Sequence, residues 1–213
     1  HEWTGFEYGT VGKPLPGVEV RIGEGGEIQV RGPNVMKGYH NKPGETAEAF
    51  VDGWFRTGDA GELDAGGRIV VTDRIKDLIK TSGGKYVAPQ AVEMALLGDP
   101  LVEQVAVLGE RRKYIAALIV PNFPALEEWA RDRGVEFADR ESLLAHPEVK
   151  AVYERRIRRR SQDLAPFEQI QRFALLPREF SQEAGELTPT MKVKRKEVAE
   201  TYADLIETLY QEA

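Results

Sequence analysis

The stretch Gly66-Gly67-Arg68-Ile69-Val70-Val71-Thr72-Asp73-Arg74-Ile75-Lys76-Asp77-Leu78-Ile79-Lys80 holds the point at which this chain changes character. A Gly pair followed by a β-branched run reads as a turn feeding a strand, and the charges at Asp73, Arg74, Lys76 and Asp77 end it. Upstream, from Thr10 to about Arg74, short apolar alternations such as Val18-Glu19-Val20-Arg21-Ile22 and Glu27-Ile28-Gln29-Val30 are separated by Glu24-Gly25-Gly26, a pattern of hairpins. Downstream, helical and strand patterns mix. The expectation is an α+β chain with a β-rich part, residues 1–75, and a small mixed α/β part, residues 76–213.

In the second part, Leu78-Ile79-Lys80 and Lys85-Tyr86-Val87 flank Thr81-Ser82-Gly83-Gly84, a hairpin signal. Pro89 opens a helix in which Val92, Ala95 and Leu96 recur at helical spacing, and Gly98 closes it. Strands are expected over 102–108 and 114–120, separated by the polar turn 109–113. Helical periodicity follows over 124–133 and 149–164, then a strand over 170–176 and a long polar loop. Residues 196–210 read as one amphipathic helix with Val198, Tyr202, Leu205 and Leu209 on one face.

Composition narrows the function. The chain has 213 residues, 41% hydrophobic and 30% charged, enough to bury a core. Its formal net charge of -6 argues against a general nucleic-acid binder, which needs a basic surface. With no Cys, thiolate nucleophiles, disulfides and Cys-ligated metals are excluded, and a reducing cytoplasm is the natural setting. No apolar run approaches the ~20 residues that cross a bilayer, which leaves peripheral membrane contact as an option. The opening His1-Glu2-Trp3 has no Met and leads directly into a Gly-rich region, so a longer parent protein is expected.

Four groups of residues could carry chemistry. Asp59, closing Asp52-Gly53-Trp54-Phe55-Arg56-Thr57-Gly58-Asp59, is placed to accept two hydrogen bonds from a vicinal diol such as ribose, with Arg74 adding a donor; the plainer reading is a turn Asp and a surface salt bridge. Thr81-Ser82-Gly83-Gly84 lets backbone approach a narrow ligand, or is simply a tight turn. Lys192, within Leu187-Thr188-Pro189-Thr190-Met191-Lys192-Val193-Lys194-Arg195, offers a compact cation on a flexible stem, or belongs to a solvated basic loop. Arg155, Arg156, Arg158, Arg159 and Arg160 share a helix; nucleotide phosphates or an anionic membrane could face them, and a solvated face balanced by acids competes. His40 and His146 have no second ligand at metal spacing, which suggests surface or cap roles. Trp3, Trp54 and Trp129 are expected in core or interface.

Taken in order, Gly12-Lys13-Pro14-Leu15-Pro16-Gly17, Gly26-Glu27-Ile28-Gln29-Val30-Arg31-Gly32, Gly38-Tyr39, the run from Trp54 to Asp59, the run from Asp73 to Lys80 and the run from Leu187 to Arg195 resemble the AMP-forming acyl-CoA synthetase superfamily, with its luciferases and peptide-synthetase adenylation domains. The ending and the helices of the second part look most like the long-chain fatty acyl-CoA synthetase branch. The resemblance implies a carboxylate joined to ATP as acyl-AMP with release of pyrophosphate, then transfer to the CoA thiol, with a small C-terminal domain rotating between the steps. It assigns Asp59 and Arg74 to the AMP ribose, Lys76 to the hinge, and Lys80, Ser82, Gly83 and Gly84 to the pantetheine arm of CoA. It makes Lys192 the adenylation lysine, with Lys194 as the competing assignment.

The resemblance also says what the chain lacks. The family's Ser/Thr/Gly-rich phosphate-gripping loop is missing, as is the aromatic-Gly-x-Thr-Glu segment, so residues 1–75 would be the end of the large adenylation domain and the chain alone would be inactive. Its implied ligands are ATP or AMP, CoA and a fatty acid, with Mg2+ held by residues outside this sequence and the absent N-terminal part as partner. Two alternatives stay open: a non-catalytic module that binds nucleotide or CoA or docks a protein, and an adenylation domain that loads a carrier protein.

Overall fold

β1 (Glu19–Ile22) and β2 (Glu27–Arg31) form an antiparallel hairpin, and β2 pairs in turn with β4 (Trp54–Leu63). β4 is long enough to pair also with β3 (Phe50–Val51) and β5 (Ile69–Arg74), which makes a five-stranded antiparallel sheet. Gly61, at the register shift in β4, is required by close approach: a Cβ there would lie 2.2 Å from the carbonyl oxygen of Val70. A short helix that sequence reading missed, α1 (Pro43–Glu48), begins at a proline suited to a first turn. Trp54 lies between two guanidinium groups, Arg21 at 4.6 Å and Arg31 at 4.5 Å from its ring, so its role is a cation–π stack on the sheet.

This computed structural model describes residues 7–211, and the chain divides into two units between Leu78 and Ile79. Trp3 lies outside the described residues. The turn before the division is a single 3-10 turn, Ile75–Asp77, in which Lys76 is exposed.

The second unit has a three-stranded sheet. β8 (Val102–Leu108) and β9 (Ala116–Pro121) are an antiparallel hairpin, and β10 (Arg172–Leu175) joins β9 in parallel. All six residues of β9 are buried, as suits a central strand whose sequence is a continuous apolar run. A separate two-stranded hairpin, β6 (Ile79–Lys80) and β7 (Tyr86–Val87), precedes α2 (Pro89–Leu97). The crossover from β9 to β10 holds α3 (Phe123–Arg131), α4 (Arg140–Ala145) and α5 (Pro147–Arg160). Tyr153 on α5 is fully buried and donates its hydroxyl to the Leu101 carbonyl at 2.6 Å, which fixes the helix on the sheet. Trp129 packs against this core.

The boundaries differ from expectation for identifiable reasons. The apolar strand pattern at 114–120 starts two residues late because Tyr114 is drawn to the last helix, its hydroxyl donating to the Leu209 carbonyl at 2.8 Å. α5 stops at Arg160, since the Ser161 hydroxyl bonds back to the Ile157 carbonyl and its backbone leaves the helical region. The expected helix 196–210 is two helices, α6 (Arg195–Thr201) and α7 (Ala203–Gln211), broken at Tyr202, whose φ of -107° and ψ of 24° are non-helical. α4 arises from an Asp139 cap that accepts from the Ser142 N–H at 2.8 Å.

Candidate functional site

In the first unit the antiparallel register places Asp59 opposite Arg74, and Arg74 Nε donates to Asp59 Oδ1 at 2.9 Å. The Asp59 side chain is 33% exposed and that of Arg74 58%, so an acceptor and a donor stand side by side at an open surface. The segment of β4 before Asp59 is held by Glu27, 3% exposed. Glu27 accepts from Arg56 Nε at 2.9 Å, from Gln29 Nε2 at 3.2 Å and from the Gly58 N–H at 3.3 Å. The Thr57 hydroxyl donates to the Ile28 carbonyl at 2.6 Å and accepts from the Asp59 N–H at 3.1 Å. Gly58 itself has φ of +72°, which an L side chain rarely adopts. A buried charge thus fixes the backbone of the carboxylate that faces outward.

Sequence reading missed Glu27 because β2 alternates, with Ile28 and Val30 against Glu27 and Gln29, and the polar set of such a strand ordinarily faces water. Here neighbouring strands cover it.

In the second unit, Lys80, Ser82, Gly83 and Gly84 belong to one hairpin. Thr81 is its buried post: its N–H donates to the Lys85 carbonyl at 2.9 Å, and its hydroxyl accepts from the Lys85 N–H at 3.1 Å. Gly84, with φ of +75°, donates to the Thr81 carbonyl at 2.9 Å. Ser82 and Gly83 remain exposed at the tip. The turn between β8 and β9 supports the hairpin through Ser82 N–H to the Arg112 carbonyl, 2.9 Å, and Arg111 N–H to the Lys80 carbonyl, 2.8 Å. The Lys80 ammonium stands over the Tyr86 ring at 5.2 Å.

Lys192 is on a second, separate hairpin. A bridge between Leu187 and Val193, with Thr188 N–H donating to the Lys192 carbonyl at 2.8 Å, closes it, and Met191 takes φ of +63° in its turn. Lys192 is exposed; Lys194 is half-buried at the base, its N–H donating to the Glu186 carbonyl at 2.8 Å. Glu186 has no exposed surface, and Arg178 grips its carboxylate through two nitrogens at 2.8 and 2.6 Å, while the Ser181 N–H adds a bond at 3.1 Å. The Arg178 guanidinium holds the Glu186 carboxyl below the usual carboxylate range. On the far side Arg195 binds Glu93 of α2 at 2.7 Å, and Glu93 accepts from the Val107 N–H at 2.9 Å, which ties the hairpin's exit to the sheet. Sequence analysis had placed Glu186 and Arg178 in a polar loop.

The arginines of α5 are divided. Arg156 binds Asp99, 6% exposed, at 2.8 and 3.0 Å, and Arg160 reaches the same carboxylate at 3.7 Å and donates to the Gly98 carbonyl. His146 caps α5, its Nδ1 accepting from the Glu148 N–H at 3.3 Å. Among the described residues no three His, Asp or Glu side chains are grouped so as to hold a metal ion. No helix among them is long and apolar enough to cross a membrane.

A profile of the AMP-binding enzyme C-terminal domain matches residues 76–213. The long-chain-fatty-acid–CoA ligase FadD15 of Mycobacterium tuberculosis is 41% identical over 213 residues, covering 98% of this chain and 35% of its own length. Human long-chain-fatty-acid–CoA ligase 1 is 37% identical over 98% of this chain and 32% of its own. This chain therefore spans about a third of the length of these relatives. Among solved structures, the A domain of a carboxylic acid reductase from Segniliparus rugosus, in complex with AMP and a co-purified carboxylic acid, superposes with a TM-score of 0.64 at 27% identity, over 87% of this chain and 28% of that one. The O-succinylbenzoate coenzyme A synthetase of Bacillus subtilis in complex with AMP gives 0.54 at 28% identity, over 89% and 35%. With the family profile spanning most of the chain, this protein belongs to the AMP-binding enzymes, as a bearer of their C-terminal domain.

Proposed function

We propose that this chain is the C-terminal part of an ATP-dependent fatty acid:CoA ligase, which converts acid, ATP and CoA to acyl-CoA, AMP and pyrophosphate through acyl-AMP. Residues 1–75 are the end of the large adenylation domain and 76–213 the small domain that swings against it, with Lys76 as the pivot. The observation that carries this reading is the exposed Lys192 on a hairpin anchored by a fully buried carboxylate. A solvated basic loop has no need of such an anchor, whereas a cation that must reach a reacting centre does.

In this reading Asp59 accepts from the ribose hydroxyls of AMP, and Arg74 orients Asp59 while donating to the same sugar. Lys192 bridges the attacking carboxylate and the α-phosphate, neutralising charge that grows in the transition state. Lys80 and the backbone of Ser82, Gly83 and Gly84 line the path of the pantetheine arm during thioester formation. The missing upstream part supplies the phosphate-gripping loop, the acyl pocket and the Mg2+ ligands. Peripheral contact with a membrane is compatible with a fatty acid substrate.

The test uses the full-length enzyme with Lys192→Ala and the two half-reactions assayed separately. Acyl-AMP formation is expected to fall by about 10²-fold or more, as when a group that stabilises transition-state charge is removed, with transfer from preformed acyl-AMP nearly unchanged. Equal losses in both steps, or a larger loss of adenylation in Lys194→Ala, would overturn the assignment.

A further inference from the structure

α5 carries five arginines between residues 155 and 160, and the fold employs two of them. Arg156 and Arg160 close the end of α2 through Asp99 and the Gly98 carbonyl. Arg158 lies elsewhere on the helix, in a cavity beside β10. Arg155 and Arg159 are exposed and have neither an acid nor a hydrogen-bond partner among the described residues. They sit one helical turn apart, where like charges repel. The helix macrodipole offsets this for Arg159 in the last turn, and not for Arg155.

Both line a groove of about 760 Å3 with Arg133, whose guanidinium lies 4.7 Å over the Trp129 ring. The carboxylates in that lining are Asp99, already bound by Arg156 and Arg160, and Asp163. The groove is therefore locally positive on a chain whose formal net charge is -6. With a screening length of about 8 Å at physiological salt, an incoming anion senses the groove and little of the distant acids.

We infer that this groove is a binding site for phosphate groups. Planar guanidinium forks match phosphate oxygens two at a time, and three forks outside any ion pair, against the single remaining carboxylate of Asp163, suit a multiply charged phosphate better than a lone carboxylate. The phosphate can belong to a soluble ester or to a lipid headgroup at a bilayer surface. The inference does not depend on the ligase reading, since Lys192 and Asp59 take no part in it.

The experiment uses the chain itself, titrated calorimetrically with inorganic pyrophosphate and co-sedimented with phosphatidylcholine vesicles with and without phosphatidic acid. The variants are the double substitution Arg155→Gln with Arg159→Gln, and Arg158→Gln as the control outside the groove. Neither Arg155 nor Arg159 makes a contact that holds the fold, so the double variant is expected to keep its thermal midpoint. Its binding should fall about 25-fold, at about fivefold per arginine, with a shallower salt dependence. Saturable pyrophosphate binding that the double variant loses identifies a soluble phosphate ligand. Binding confined to vesicles with phosphatidic acid, and lost in the same way, identifies the headgroup. No binding in either arm overturns the inference, as does an Arg158→Gln loss equal to that of the double variant.

Discussion

Cutting the ion pair beneath the Lys192 hairpin should have opposite severity from what exposure alone suggests. Glu186 is wholly buried, whereas the Arg178 side chain is 48% exposed. In Arg178→Met the exposed partner is removed, leaving a buried carboxylate with the Ser181 N–H and the neighbouring Tyr202. Breaking a buried pair in this way costs about 3–5 kcal/mol, and water's access to the arginine side puts the expectation near 3. In Glu186→Gln the amide oxygen still accepts from Ser181 and the freed guanidinium rotates into solvent, so the loss is about 1.5 kcal/mol, that of a hydrogen bond to a charged group. Urea unfolding at neutral pH, followed by far-UV circular dichroism, measures both without screening the pair as guanidinium salts would. Acid adds a second signature. Because Arg178 lowers the folded-state pKa of Glu186, the stabilisation is present above the ordinary carboxylate pKa and lost as pH falls through the folded value. Glu186→Gln should lack that part of the acid limb. A glutamine variant as damaged as the methionine variant, or an acid limb unchanged in Glu186→Gln, would refute the reasoning.

Three further outcomes follow from other places in the fold. Gly61→Ala puts a Cβ 2.2 Å from the Val70 carbonyl oxygen and 2.7 Å from Ile28 Cδ1, and the first unit should lose about 1–3 kcal/mol, read as faster hydrogen exchange across β4 and β5. Burial pushes the Tyr210 phenol up to about 12, so its share of stability is complete below the ordinary phenol pKa and is lost as pH rises through the folded value; Tyr210→Phe should flatten the alkaline limb of stability. In the full-length enzyme, Lys76→Pro should leave acyl-AMP formation measurable and sharply reduce transfer to CoA, because proline fixes φ at the proposed pivot; undiminished transfer in a folded variant places the swivel elsewhere.

The sequence announced its elements better than its supports. Apolar runs such as Ala116–Pro121 and the turn chemistry of Thr81-Ser82-Gly83-Gly84 are local signals, and each lies where periodicity and glycine placement indicate. Glu27, Glu93, Asp99 and Glu186 were not legible: the first three are carboxylates whose partners, Arg56, Arg195 and Arg156, lie far along the chain, and Glu186 pairs with Arg178 inside a stretch that shows no periodicity. Local polarity reads all four as solvent-facing. The break at Tyr202 was hidden for a similar reason, since the apolar stripe of α6 and α7 continues through it and only the backbone departs. Asp59, Arg74 and Lys192 were singled out by the order of the motifs that contain them, since their local polarity alone reads as a turn, a surface salt bridge and a solvated basic loop.

The parallel pairing of β10 with β9 sets an order of events during synthesis. β9, apolar along its whole length, is complete about fifty residues before β10, and at the usual ~5–20 residues per second that interval is roughly 3–10 s. Throughout it, one edge of the most hydrophobic strand in the second unit has no neighbour, and two nascent chains on one message could pair there. The helices α3 to α5 are made in that interval, so their early packing over β9 would shield it, and slow codons between residues 121 and 172 would lengthen the hazard rather than relieve it.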